Sequence, residues 1–323
     1  MPWKHAAMAS ALVVLLPGCR AADPRPIASG SASPLQIATP AGSGAGGSTM
    51  MFVPDTAGAN DYGLNALALA GLRTEAAKLG MVAPAIAASA SSDAAAQAKL
   101  VVGRGSTLAD GFAAAATAQP NVSFVLIDAP PGQGPGNLRR VSFDLSDGVR
   151  QAGMLAAGVS QSRIVAFVGG KDSAEARQLA GAFTAGAGGS VKVVIEYSGS
   201  DDTEADAKRL SEGLISDRGA DVLLAAADPG GLGTIAAASQ KRALAIGIDR
   251  DQYDVAPNAV LSSVVKRTDV AAARALDDFL QGRLAGGNQQ LGLADGGVEL
   301  APFHDLASRV PSSLASSLHL AGS

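Results

Sequence analysis

The chain has 323 residues, 47% of them hydrophobic and 17% charged, with a formal net charge of −4. At about 150 residues per domain, this length suggests two domains, with ample apolar material for cores and too little charge for global disorder. The acidic balance offers no basic footprint for nucleic acid. Histidine stands only at positions 5, 304 and 319, and cysteine only at 19, which argues against a zinc site, a disulfide framework or a hydrolase built on a histidine base.

Met1 to Cys19 reads MPWKHAAMASALVVLLPGC. Lys4 supplies a short positive start, and the run from Ala6 to Leu16 has the length of a signal-peptide core, too short for a mature bilayer span. Leu16-Pro17-Gly18-Cys19 resembles a bacterial lipobox with Cys19 as the lipidated residue, although Pro17 is uncommon at its place. The alternative is an ordinary signal peptide with a chance cysteine or a small buried thiol. Lipidation would make Cys19 the mature first residue and anchor the chain through acyl chains. Residues 20–48 are rich in Pro, Gly, Ser and Ala, a composition that buries no core and reads as a flexible tether. A tether between a lipid and a folded body suggests a receptor or an enzyme held at a surface.

From Met50 the pattern alternates. TMMFVPD is a continuous apolar run, and GLNALALAGLRTEAAKLG has helical character ending at Gly80, a glycine suited to the position after a helix C-cap. APAIAAS is a weak strand and SSDAAAQAKL a capped helix. KLVVGRG and SFVLID are strands separated by the helix STLADGFAAAATAQP. RRVSFD is a strand and LSDGVRQAGMLAAGVS a helix. The second half repeats the rhythm: strands RIVAFVGG, KVVIEYS, ADVLLAAA, ALAIGID and AVLSSVV are interleaved with four helices, of which RTDVAAARALDDFLQGRLAGG is the last. Apolar strands separated by helices argue for parallel sheets covered on both faces, and two similar half-chains for two such lobes. Ligands of open parallel sheets sit beyond the carboxyl ends of the strands. Those ends are Pro54-Asp55, Gly103-Arg104-Gly105, Asp128, Gly169-Gly170, Ala227-Asp228 and Asp249, a set that suits a cleft between lobes. GGKDS lacks the ending of a phosphate loop, and GRGSTL lacks the third glycine of a dinucleotide fingerprint, so both read as tight strand-to-helix turns.

The segments DTAGANDYGLNALALAGL, NVSFVLID, RIVAFVGGKDSAEARQLAGAFTAG, AIGIDRDQ, VLSSVVKRTDVA and LGLADGGVEL, in this order, resemble the basic membrane protein lipoproteins. These are substrate-binding components of ABC transporters, similar to bacterial purine-nucleoside receptors. The resemblance implies a type I periplasmic binding protein: two doubly wound α/β lobes joined by a three-strand hinge that closes on ligand. It implies crossings near 143–146, 261–264 and 285–291. Lobe 1 is then 49–143 plus 264–285, lobe 2 is 146–261 plus 290–310, and 311–323 is a C-terminal tail. It also implies a small-molecule solute, an ABC permease as partner, no cofactor, no catalysis and a place in the bacterial cell envelope.

The resemblance carries over a set of site residues. The family pattern D-x-S-F-N is met here by Asp61-Tyr62-Gly63-Leu64-Asn65. Asp61 and Asn65 match and would read a base edge, while Leu64 replaces the stacking phenylalanine. Tyr62 is a substitute ring, and no aromatic residue stands in 223–233. Asp249 matches the acid that grips ribose hydroxyls, and Lys266 a cleft lysine. A carboxylate accepting two hydroxyls makes charge-assisted bonds, and a nearby ammonium keeps it ionised. Each residue has a plainer reading. Asp61 and Asn65 are also good helix caps, Asp249 and Asp128 also suit turns, and Lys266 also suits a solvated partner of Asp269. Gly105 and Gly170 permit tight turns or a close backbone approach, and Tyr62 suits an exposed loop.

The first functional reading is therefore a lipid-anchored receptor handing a nucleoside-like solute to a permease. The alternative is a sensor or envelope interaction protein on the same fold with a degenerate ligand clamp. An enzyme is the weakest reading, since only aspartates would carry its acid–base chemistry.

Overall fold

A computed structural model describes residues 49–61, 63–91, 97–227 and 229–321. All belong to one unit, Ala45–Ser323. Cys19, the leader, the tether, Tyr62, half of the expected helix SSDAAAQAKL (92–96) and Asp228 lie outside the described residues.

The central apolar runs become strands buried on both faces. The first sheet holds β1 (Met50–Val53), β2 (Ala85–Ile86), β3 (Leu100–Arg104), β4 (Ser123–Ile127), β5 (Leu138–Phe143) and β11 (Gly287–Leu291) in the order β11-β5-β4-β3-β1-β2, all parallel. The second holds β6 (Ile164–Gly169), β7 (Lys192–Tyr197), β8 (Val222–Ala226), β9 (Leu244–Asp249), β10 (Val260–Lys266) and β12 (Val298–Leu300) in the order β12-β10-β9-β8-β6-β7. Only β12 runs antiparallel to its neighbour. Position by position, the two orders correspond.

Helices cover both faces of each sheet. In the first lobe, α1 (Leu64–Lys78) and α7 (Thr268–Leu280) pack on one face through Leu69, Leu72, Ala272 and Leu276, and α2 (Ala109–Ala118) on the other through Phe112. In the second, α3 (Ser146–Val159) and α4 (Ala174–Ala187) take one face. There, α5 (Glu204–Ser216) and α6 (Gly231–Lys241) take the other. The Ala- and Gly-rich composition allows these pairs to touch backbone to backbone. A Cβ at Gly71 of α1 would lie 2.2 Å from the Asp269 carbonyl oxygen of α7. Helix α1 ends at the expected glycine: Gly80 has φ +67, its N–H donates to the Ala77 carbonyl, and the Met81 N–H donates to that of Ala76 at 2.8 Å. Both bonds satisfy carbonyls the helix end would otherwise leave open.

The chain passes between lobes at Asp144–Leu145, at Arg267 and over 292–297. The second passage, expected at 261–264, comes later because β10 stays paired with β9 and β12 as far as Lys266. The third, expected at 285–291, also comes later, because β11 pairs with β5 along its whole length. The polar sequence GNQQL gives no apolar signal for that edge strand. Residues 311–321 are laid onto the second lobe. They form a short α8 (Ser312–Ala315), Leu318 is buried, Leu320 bridges to Leu300, and the His319 N–H donates to Gln151 Oε1 at 2.8 Å. This is the type I periplasmic binding fold of two doubly wound lobes joined by three connections.

Candidate site in the interlobe cleft

The carboxyl ends of both sheets face the passages between the lobes, and charged side chains converge there. Asp128 follows β4, and Asp249 ends β9. Both are left-handed, with φ 58 and φ 69, a conformation that aspartate tolerates better than most residues. Lys266, the last residue of β10, reaches both: its Nζ lies 3.2 Å from Asp128 Oδ1 and 2.8 Å from Asp249 Oδ1. The first carboxylate belongs to one lobe and the second to the other. All three side chains are mostly buried, with 16–18% of their surface exposed.

Burial by itself pushes the Asp128 carboxyl up, but the Lys266 ammonium and the Arg104 guanidinium outweigh it and hold the group below its ordinary value. Burial likewise opposes the charge on Lys266, and Asp249 and Asp128 outweigh it, so the ammonium titrates above its ordinary value. Both groups are thus charged at neutral pH.

Behind Asp128 runs a line of polar contacts. Arg104, at the end of β3, donates from Nη2 to Asp128 Oδ2 at 2.8 Å and from Nη1 to Asp55 Oδ2 at 2.6 Å. Asn65 Nδ2 donates to Asp55 Oδ1 at 2.7 Å and to Asp61 Oδ2 at 3.1 Å, and Asn65 Oδ1 accepts from the Asp55 N–H at 3.3 Å. Asp61 also accepts the backbone N–H groups of Gly63, Asn65 and Ala66 at 2.8–3.1 Å, which caps the start of α1.

Two cavities open on this cluster. One, of about 350 Å³, is lined by Asp128, Pro130, Phe143, Glu175, Lys266 and Gln290 among others. The second, of about 230 Å³, is lined by Ser173, Glu175, Asp201, Ile248, Asp249 and Lys266 among others. Among the described residues, Phe143 is the one aromatic ring in either lining.

Asp128, Asp249 and Lys266, named from the sequence, thus come together and line these cavities. Asp61 and Asn65 do not reach them: Asn65 is fully buried, both of its amide hydrogens are used within the protein, and Asp61 serves as a helix cap. Leu64 is 5% exposed and packed at the helix start. A Cβ at Gly105 would lie 2.9 Å from Asp55 Oδ2, and one at Gly170 would lie 2.0 Å from Asp201 Oδ1, so each glycine makes room for a neighbouring aspartate. Sequence reasoning left out Arg104, Asp55, Phe143 and Glu175 as site residues. The first two stand at strand ends, but their pairing depends on β3 lying between β1 and β4, which no local pattern shows. Among the described residues there is no group of three metal-ligating side chains and no helix long and apolar enough to cross a membrane.

A family model described as ABC transporter substrate-binding protein PnrA-like, Bmp, matches residues 69–317. Basic membrane protein D of Borreliella burgdorferi (strain JD1) is 30% identical over 218 residues, covering 65% of this chain and 64% of that protein. The protein named ABC transporter nucleoside-binding protein BmpA, of Lactococcus lactis subsp. cremoris, is 28% identical over 226 residues, 62% of this chain and 63% of that one. The chain spans just under two thirds of the length of these curated relatives. Among solved structures, an ABC transporter system solute-binding protein from Aeropyrum pernix K1 is similar, with a TM-score of 0.60 at 25% identity, over 78% of this chain and 75% of that chain.

Proposed function

Since the chain belongs to the Bmp family of PnrA-like ABC-transporter substrate-binding proteins, we propose that it is the solute receptor of an importer and takes a nucleoside-like solute between its lobes. The observation that carries this reading is the meeting of Asp128 and Asp249, one from each lobe, on the single ammonium of Lys266. Two ionised carboxylates accept hydroxyl or N–H donors in charge-assisted bonds. A ligand that donates to both holds the lobes together, and Lys266 bridges the two carboxylates across the cleft. Phe143 offers a ring beside Asp128; base-on-ring stacking contributes about 1–3 kcal/mol. The receptor works by binding and lobe closure, with no bond made or broken. Cys19 would tether it to a membrane on the outer side, within reach of a permease.

A thermal-shift screen of the protein with nucleosides, free bases and simple sugars tests this. A ligand that binds only the folded state adds about 2.7 kcal/mol at a hundredfold excess over Kd. The expected result is a rise in Tm with a nucleoside that Asp249→Ala abolishes. No shift with any nucleoside sinks that ligand class. It would then favour the second reading, a sensor or envelope-binding protein, to which the internally bonded Asn65 and the buried Leu64 already point.

A further inference from the structure

We infer that Arg104 is a positioning residue of the cleft: its two terminal nitrogens fix the Asp128 carboxylate against Asp55, and Asn65, itself held by Asp61, fixes Asp55 in turn. The inference rests on the reading of Asp128 as a ligand acceptor. Arg104 lines neither cavity, so it acts through its neighbour. Its fork points both ways along the strand ends, to Asp55 Oδ2 at 2.6 Å on β1's side and to Asp128 Oδ2 at 2.8 Å on β4's side. That leaves Asp128 Oδ1 for Lys266, and for a ligand donor.

Each further link has its own support. Asp55 Oδ1 is held by the Asn65 amide and the Ala57 N–H, at 2.7 and 2.9 Å. Gly105, at φ +110, leaves the space that the Asp55 side chain occupies, since a Cβ there would lie 2.9 Å from Asp55 Cβ. Arg104 Nε is buried with no hydrogen-bond partner among the described residues, so the guanidinium is set by its two carboxylates alone. A lysine at 104 would supply the charge but not the planar two-way fork. The polar residues at the start of α1 therefore act as an outer strut for Asp128.

The test uses the full chain with its aspartates labelled with ¹³C at the side-chain carboxyl. The Asp128 signal is assigned by its loss in Asp128→Asn and followed against pH. The charged groups facing it are Lys266 and Arg104, with Asp249 and Asp55 behind them and Glu175 across the same cavity. In Arg104→Met the titration midpoint is expected to move up, toward the ordinary carboxylate value, and in Arg104→Lys to move up less. Inosine affinity, measured by calorimetry, is expected to fall about tenfold in Arg104→Met, the loss of a single charge-assisted contact. An unmoved midpoint in folded Arg104→Met overturns the inference. If that variant does not fold, a wild-type midpoint and wild-type inosine affinity in Arg104→Lys overturn it. If the wild-type chain binds neither inosine nor any other nucleoside, the nucleoside reading fails, while the titration still decides the role of Arg104.

Discussion

Asp128 and Asp249 occupy corresponding places in the two lobes and share one cation. Each stands at the carboxyl end of the third strand of its sheet, each adopts a left-handed backbone, and each pairs with Lys266. A non-glycine residue held at positive φ costs about 1 kcal/mol or more. Two such residues at matching strand ends indicate that their orientation toward the cleft is maintained against that cost.

Removing the shared cation leaves two carboxylates close together and mostly buried. Lys266→Met is expected to destabilise the protein by about 2–4 kcal/mol, since breaking a buried pair strands the remaining charge. Adding Asp249→Asn to that variant should restore part of the loss. Urea unfolding of the single and double variants measures both; a double variant no more stable than the single one contradicts the account.

The same cluster gives stability a pH dependence of known sign. The Asp128 carboxyl titrates below its ordinary 3.8 in the folded state. Its contribution is therefore present above that value and lost as pH falls through the folded one. Lys266 titrates above its ordinary 10.5, so its contribution is complete below that value and is lost only as pH rises through the folded one. Acidification from about pH 5 to about pH 3 should thus lower the urea midpoint, and less steeply in Asp128→Asn. Parallel slopes for the two proteins would remove Asp128 from the explanation.

Helix contact through glycine predicts a contrast within the first lobe. In Gly71→Ala the new methyl would lie 2.2 Å from one backbone atom of Asp269 and 2.5 Å from another. Backbone cannot swing aside, so a loss of about 1–3 kcal/mol or more is expected. Gly111, inside α2, has nothing within 4 Å of the same position, and Gly111→Ala should stabilise by about 0.5–1 kcal/mol. Thermal denaturation of the two variants should show Tm changes of opposite sign.

Leu64 stands where the D-x-S-F-N pattern that this stretch resembles would carry a phenylalanine, and its side chain is packed rather than presented. Leu64→Phe is expected to overfill the start of α1, costing about 1–3 kcal/mol, without tightening inosine. An unchanged Tm with a higher inosine affinity would show that the space beside Leu64 does belong to the ligand.

The order of apolar runs and helices was legible in the chain because the central strands are buried on both faces and a helix such as α1 carries its own end signal, at Gly80. Two of the four edge strands, β11 and β12, escaped this reading. GNQQL in β11 is polar, since an edge strand over the hinge is covered on few sides. The same locality explains the site. Asp128, Asp249 and Lys266 end strands, and strand ends can be read one at a time. Whether Asn65 faces a ligand or a neighbour depends on where Asp55 lies, ten residues away along the chain and 2.7 Å away in space.

The sequence by itself determined the alternation of strand and helix, hence two parallel-sheet lobes, and the list of polar residues at strand ends. Burial periodicity and turn chemistry act within a few residues, so they survive in a linear text. Only the tertiary structure decided which of those residues meet. Placing β3 between β1 and β4 puts Arg104 between two aspartates, and carrying β10 through to Lys266 sets one ammonium between two lobes. Those contacts join residues far apart in the chain. They exist because strand order, which no local pattern encodes, sets which side chains share the low-dielectric space where charge pairing is strong.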